Sequence, residues 1–173
     1  MLPTEKQAIQ FNWDFAKWQE QGILKIVHID FKKPIEMKML AGILQLIEND
    51  HYDRLVIDSI NPIAHAPPAI SSVDHRLSMP DRDILSEMIR ANIITLFDKT
   101  TKNGVTTVCI AQKDEKDPTN KMLDYIGDGL IDFEASAVGE NENRTIQFKK
   151  LRWTKTNILQ HPFNFTDNGI SLI

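Results

Sequence analysis

A single cysteine, Cys109, stands in the sequence, so no intrachain disulfide can form. A reducing compartment fits that usage. No apolar run approaches the roughly 18 residues that a membrane-spanning helix needs. The opening MLPTEKQ has no basic segment followed by an apolar one, so it does not read as a signal peptide. The expectation is a cytoplasmic protein with no membrane partner. Glycine is also scarce: there are seven, and none is followed by lysine. That excludes the loop G-x-x-x-x-G-K-[ST], whose backbone amides cradle phosphates, from these residues. G-x-S-x-G and H-E-x-x-H are missing too. Nor is there an excess of positive charge. Twenty Lys and Arg face 24 Asp and Glu, giving a net charge of -4 and a pI near 5.7. Such a chain has no global attraction for nucleic acid or an anionic membrane.

What remains is an ordinary globular composition, 42% hydrophobic and 25% charged, over 173 residues. That length predicts one domain, able to bury about 70% of its unfolded surface without metal or disulfide staples. Ala8, Phe11, Phe15 and Trp18 recur at helical spacing and predict a helix from Thr4 to Gln21, ended by Gly22. ILKIVHI (23–29) reads as a buried strand. Pro34 opens a second helix to about Asn49, and RLVIDSI (54–60) forms a second strand. Residues 61–80 hold four of the eight prolines and read as a long loop. A helix from about Asp81 to Lys102 buries Leu85, Ile89, Ile93, Leu96 and Phe97, and Asn103-Gly104 closes it. VTTVCIA (105–111) is a third strand, and QKDEKDPTN after it a polar loop. After Tyr125 come GLIDFEASAV, RTIQFKKLRW, ILQHPFNF and GISLI, with GENEN as a hairpin turn between the first two. Strand–helix units followed by meandering strands predict an α/β fold. Its mixed sheet has a parallel core, C-terminal antiparallel strands and helices on both faces.

Three places carry candidate chemistry. Asp58 ends an apolar strand, where open α/β sheets bind ligands. Nucleotide hydrolases hold Mg²⁺ with such an acid through its water shell. An Asp capping the following segment would look the same. Gln112 follows the third strand and is placed to touch a ligand beside Asp58; a solvated loop residue fits equally. In FKKLRW (148–153), alternation sets Lys150 and Arg152 on one face and Lys149 on the other. Two cations on one face suit phosphate oxygens, and a charged edge strand that discourages aggregation has the same pattern. Gly127 and Gly129 precede a strand and read as a turn. Asp124, Asp128 and Asp132 are evenly spaced without a common helical face. The histidines His28, His51, His65, His75 and His161 are dispersed, with no close ligand pair.

Taken in order, these pieces resemble the KaiC-type ATPases of the RecA superfamily. IQFNWDFAKWQEQGILKIVHID is similar to their aromatic-Gly-Trp-Asp run followed by a glycine and a strand. DRLVIDSI resembles their Walker B strand, FKKLRW their Lys-x-Arg strand, and HPFNFTDNGISLI their C-terminal hairpin. The resemblance covers almost the whole chain. It implies a RecA-like domain that assembles head to tail, often as a hexameric ring, with ATP between subunits. It makes Asp58 the Walker B acid near Mg²⁺, sends Lys150 and Arg152 to the γ-phosphate on the adjacent subunit, and makes Gln112 resemble the sensor glutamine of the RecA branch. It implies ATP and Mg²⁺ as ligands. Three departures stand out. The first strand and Walker A loop of the family lie upstream of the matched region. Asn12 replaces a glycine, and Trp153 replaces the glycine that commonly follows Lys-x-Arg. The catalytic glutamate would fall at or before Met1, so no catalytic residue is assigned.

The expectation is therefore an ATP-binding domain, incomplete or degenerate as it stands and poorly active alone, in a homo-oligomer or with a P-loop-bearing partner. The alternative is a non-catalytic module that docks on an intact P-loop ATPase. The few basic residues in 61–80 and 113–124 argue against nucleic-acid binding.

Overall fold

A computed structural model describes residues 3–30, 38–66, 82–114, 116–138 and 141–173. Its elements are α1 (Pro3–Gln10), α2 (Phe15–Glu20), α3 (Lys38–Asp50), β1 (Arg54–Asp58), α4 (Asn61–Ala64), α5 (Arg82–Lys102), β2 (Thr106–Ile110), α6 (Pro118–Ile126), β3 (Gly129–Val138), β4 (Asn141–Leu151), β5 (Gln160–Thr166) and β6 (Gly169–Leu172). They fall into two compact units, one of residues 30–127 and one of residues 1–29 with 128–173.

In the unit of residues 30–127, β1 and β2 pair in parallel, from Arg54 against Thr106 to Asp58 against Ile110. A bond from Ile60 N to Ile110 O, 2.9 Å, follows the ladder. Alternation sends Leu55, Ile57 and Cys109 inward. Ile57, Ile47, Ile60, Ile63 and Leu96 form the buried cluster there, with Leu55 and Cys109 packed against it. A second cluster joins Ala64, Ile89 and Ile93 to Leu85, Phe97, Met122 and Leu123. The stripe predicted for α5 is thus the buried one: Ile89, Ile93 and Leu96 are each 1% exposed. Burial of each such side chain stabilises the fold by about 1.5–3 kcal/mol. Asn92, on the same helix, is buried as well, and its side-chain amide donates to Ala64 O at 2.9 Å and Ala66 O at 2.8 Å. Gly104, at φ 69°, ends α5 as expected.

The other unit holds the meander β3-β4-β5-β6, antiparallel throughout. Leu130 pairs with Lys150 but Ile131 with Phe148, so Lys149 is the extra residue of a β-bulge. Phe163 is buried and meets Phe133 and Phe165 edge-on, both at 5.9 Å. Phe165 stacks on Phe11, Phe11 meets Trp13, and the string continues through Phe15 to Trp18. The turn between β5 and β6 sits on that string: a Cβ at Gly169 would meet the Trp13 ring at 3.3 Å.

The structure corrects several expectations. The helix over 4–21 is two helices, because Asn12 takes φ 57° and breaks the run before Asp14 caps α2. Asparagine tolerates that left-handed conformation, which explains how it stands in place of glycine. Residues 23–29 form no strand. A short apolar segment needs a neighbour to complete its ladder, and Ile23 and Val27 are exposed. The second helix starts at Lys38 among the described residues, and its proposed opening at Pro34 lies outside them. Asn61–Ala64 is helical rather than loop, while 67–80 lies outside the described residues. The polar stretch after β2 runs into α6, which Asp117 caps and Pro118 opens. The turn residues Gly139 and Glu140 lie outside the described residues, and Asn141 already pairs with Val138.

Candidate functional site

Asp58 is the last residue of β1 and is exposed. The Asp58–Ser59 peptide is cis. Gln112, two residues past β2, is exposed too, and the parallel pairing brings the two strand ends to one edge of the sheet. The backbone at Gln112 is held from both sides. Its N–H donates to Asn61 Oδ1 at 3.3 Å, and its carbonyl accepts from Asn120 Nδ2 at 3.0 Å.

Behind this edge lies a polar network that no motif announced. Asp117 accepts from Asn61 Nδ2 at 2.8 Å and from Thr119 N–H at 2.8 Å. His65 Nε2 lies 3.2 Å from Asp117 Oδ1 and 3.1 Å from Thr119 Oγ1. Burial of the Asp117 carboxyl opposes its ionisation. Hydrogen bonds from Thr119, Asn61 and His65 outweigh that and hold it down at about 2. The network therefore fixes the segment after β1 to the segment after β2. His65 is one of the histidines that sequence alone left scattered. The Asp-Pro pair at 117–118 was a legible helix-start signal.

The basic segment is arranged differently. Lys150 lies in β4 opposite Leu130. The strand stops at Leu151, so Arg152 stands in the turn beyond it, which corrects the single-strand reading of 148–153. The bulge also disturbs the alternation assumed for these cations. Lys149 pairs with Asp132. Arg152 N–H donates to Asp128 O at 2.7 Å, and its guanidinium lies 3.5 Å from Asp128 Oδ1. Asp128 and Asp132 thus serve as partners of cations. No group of three or more His, Cys, Asp or Glu is placed to hold a metal among the described residues. The candidate residues fall into two groups, Asp58 with Gln112 in one unit and Lys150 with Arg152 in the other.

The family model described as "ATPase: KaiC" matches residues 4–173. The chain belongs to the KaiC family of ATPases. It is 26% identical over 172 residues to the circadian clock oscillator protein KaiC of Synechococcus elongatus, covering 96% of this chain and 31% of that protein. It is 24% identical over 186 residues to a UPF0273 protein of Methanopyrus kandleri, covering 98% and 67%. The chain thus spans about a third of the cyanobacterial relative's length. Among solved structures it is similar to a KaiC-like protein from Pyrococcus horikoshii OT3, with a TM-score of 0.71 and 24% identity, covering 97% of this chain and 68% of that one. This KaiC-family chain has the α/β fold expected of it, with a parallel sheet and antiparallel C-terminal strands. No helix among the described residues is long and apolar enough to cross a membrane.

Proposed function

We propose that this KaiC-family chain is an ATP-binding domain that works in a homo-oligomer, with nucleotide between copies, and that its two units belong to one RecA-like domain. The observation that carries this reading is Asp58, an exposed carboxylate ending a parallel strand within a family match over residues 4–173. A carboxylate there suits Mg²⁺ held through water, since no set of protein ligands surrounds it among the described residues. When bound, Mg²⁺ supplies charge neutralisation at the phosphates. Lys150 and Arg152 are the residues that would reach the γ-phosphate, with Arg152 exchanging Asp128 for a phosphate oxygen. Gln112, held at its backbone by Asn61 and Asn120, would sense the nucleotide beside Asp58.

These 173 residues contain no P-loop sequence. Phosphoryl transfer rests almost wholly on positioning, so hydrolysis by this chain alone is expected to be slow. The working site would be completed by a further copy or by a P-loop-bearing partner. A soluble, cytoplasmic setting fits this role.

Calorimetric titration with Mg-ATP, with Mg-ADP in parallel, tests the reading. Micromolar binding that weakens at least about tenfold in Asp58→Ala and in Arg152→Ala is the expected result, the loss of a charge-assisted contact. Unchanged binding in both variants overturns the assignment.

A further inference from the structure

Trp153 is 95% exposed, the most exposed large hydrophobic side chain among the described residues. It is not carried on a loose strand end. The backbone on its N-terminal side is pinned where Arg152 N–H meets Asp128 O at 2.7 Å. Leu151 packs so closely on Gly129 that an added Cβ there would lie 3.0 Å from Leu151 Cδ2. Trp153 itself takes φ 64°. A bulky aromatic residue has no intrinsic reason to adopt that left-handed conformation. Asn12 at φ 57° shows the contrast, since a short polar side chain tolerates it. Such an outlier points from backbone to function rather than to packing, because an indole this exposed gains nothing from burial.

The neighbours define what the indole meets. Lys150, Arg152 and Lys155 lie within five residues of one another, in a chain of net charge -4. An apolar protein pocket that swallowed Trp153 would bury the flanking Arg152 and Lys155 charges as well, at high cost. A ligand with a flat π-face and several anionic oxygens satisfies the indole and the cations together.

We propose that Trp153 is a base-stacking residue: its indole covers the nucleobase of the nucleotide whose phosphates Lys150 and Arg152 approach. This rests on the ATP-binding reading above and adds to it a contact with the base. The ligand is a free nucleoside triphosphate. A polynucleotide would need a longer basic track than these residues provide.

The test uses the full chain with Mg-ATP, tripolyphosphate and an oligo-dT strand, followed by calorimetry and by indole emission. Mg-ATP is expected to bind about tenfold more tightly than tripolyphosphate, the usual worth of one stacked base, and to quench emission. Trp153→Gly, which suits φ 64° and so keeps the fold, should lose the quench and bind both ligands equally. Trp153→Phe should keep most of the preference for Mg-ATP. If Trp153→Gly binds Mg-ATP as tightly as the unaltered chain and still prefers it to tripolyphosphate, stacking is wrong while the nucleotide reading stands. If no variant binds Mg-ATP, both fall. Tighter, Trp153-dependent binding of oligo-dT than of Mg-ATP overturns the choice of a free nucleotide.

Discussion

Asp58 and Gln112 leave their strands beside a network that is backed by buried side chains. Lys150 lies near the end of β4, and Arg152 stands in the exposed turn beyond it, beside Asp128. The first arrangement spends interior contacts on keeping two strand ends in register. The second leaves the Arg152 guanidinium exposed, with Asp128 at its side. A surface ion pair of that kind is worth at most about 1 kcal/mol, so it yields readily to a multiply charged ligand. Under the proposed function, the contrast teaches that an acid serving a hydrated ion and a cation serving a mobile phosphate call for different degrees of fixation.

The contrast can be broken or sharpened by experiment. Cys109, packed against the cluster of Ile47, Ile57, Ile60, Ile63 and Leu96, has its thiol pushed by burial from 9.0 up to about 12. Iodoacetamide should therefore modify it roughly a thousandfold more slowly at pH 8 than a cysteine introduced at Ser136, exposed on β3. Equal rates would mean that the interior of residues 30–127 is open. Next in size, Ile93→Ala should cost about 3 kcal/mol in urea unfolding. Phe133→Ala, at a ring already 56% exposed, should cost under half of that. Asp117 comes third. Its native value of about 2 lies below the unfolded 3.8, so it stabilises the fold above pH 4. That contribution, about 2 kcal/mol, is lost as pH falls from 4 toward 2. Unfolding curves of Asp117→Asn across that range should lack this part of the slope. The smallest effect should come from Thr107, whose hydroxyl is buried with no hydrogen-bond partner among the described residues. Thr107→Val should raise stability by up to about 1 kcal/mol, and a loss would reveal an uncounted bond.

Much of this was legible in the sequence because it is periodic or local. The α5 stripe of Ile89, Ile93 and Leu96 repeats at helical spacing, and the runs at 54–58, 106–110 and 129–138 have β-branched residues between turn signals. The family, too, showed in the order of weak motifs. The segment 23–29 misled because its composition fits a strand while its pairing depends on a distant neighbour. The Asn61–Asp117 and His65–Asp117 contacts join residues 56 and 52 positions apart, and no local pattern encodes them. The reading of 148–153 as one strand missed two local features: β4 ends at Leu151, before Arg152, and Lys149 is the extra residue of a bulge.

Asn92 has a consequence for the chain's slow motions. Its amide clasps the carbonyls of Ala64 and Ala66 from the middle of α5. The segment just after the candidate acid therefore cannot open on its own; releasing it strands a buried donor. In amide exchange, Ala64 to Ala66 should behave as part of the long helix rather than as a loop. The lifetime of the edge around Asp58 would then be set by how often α5 lets go.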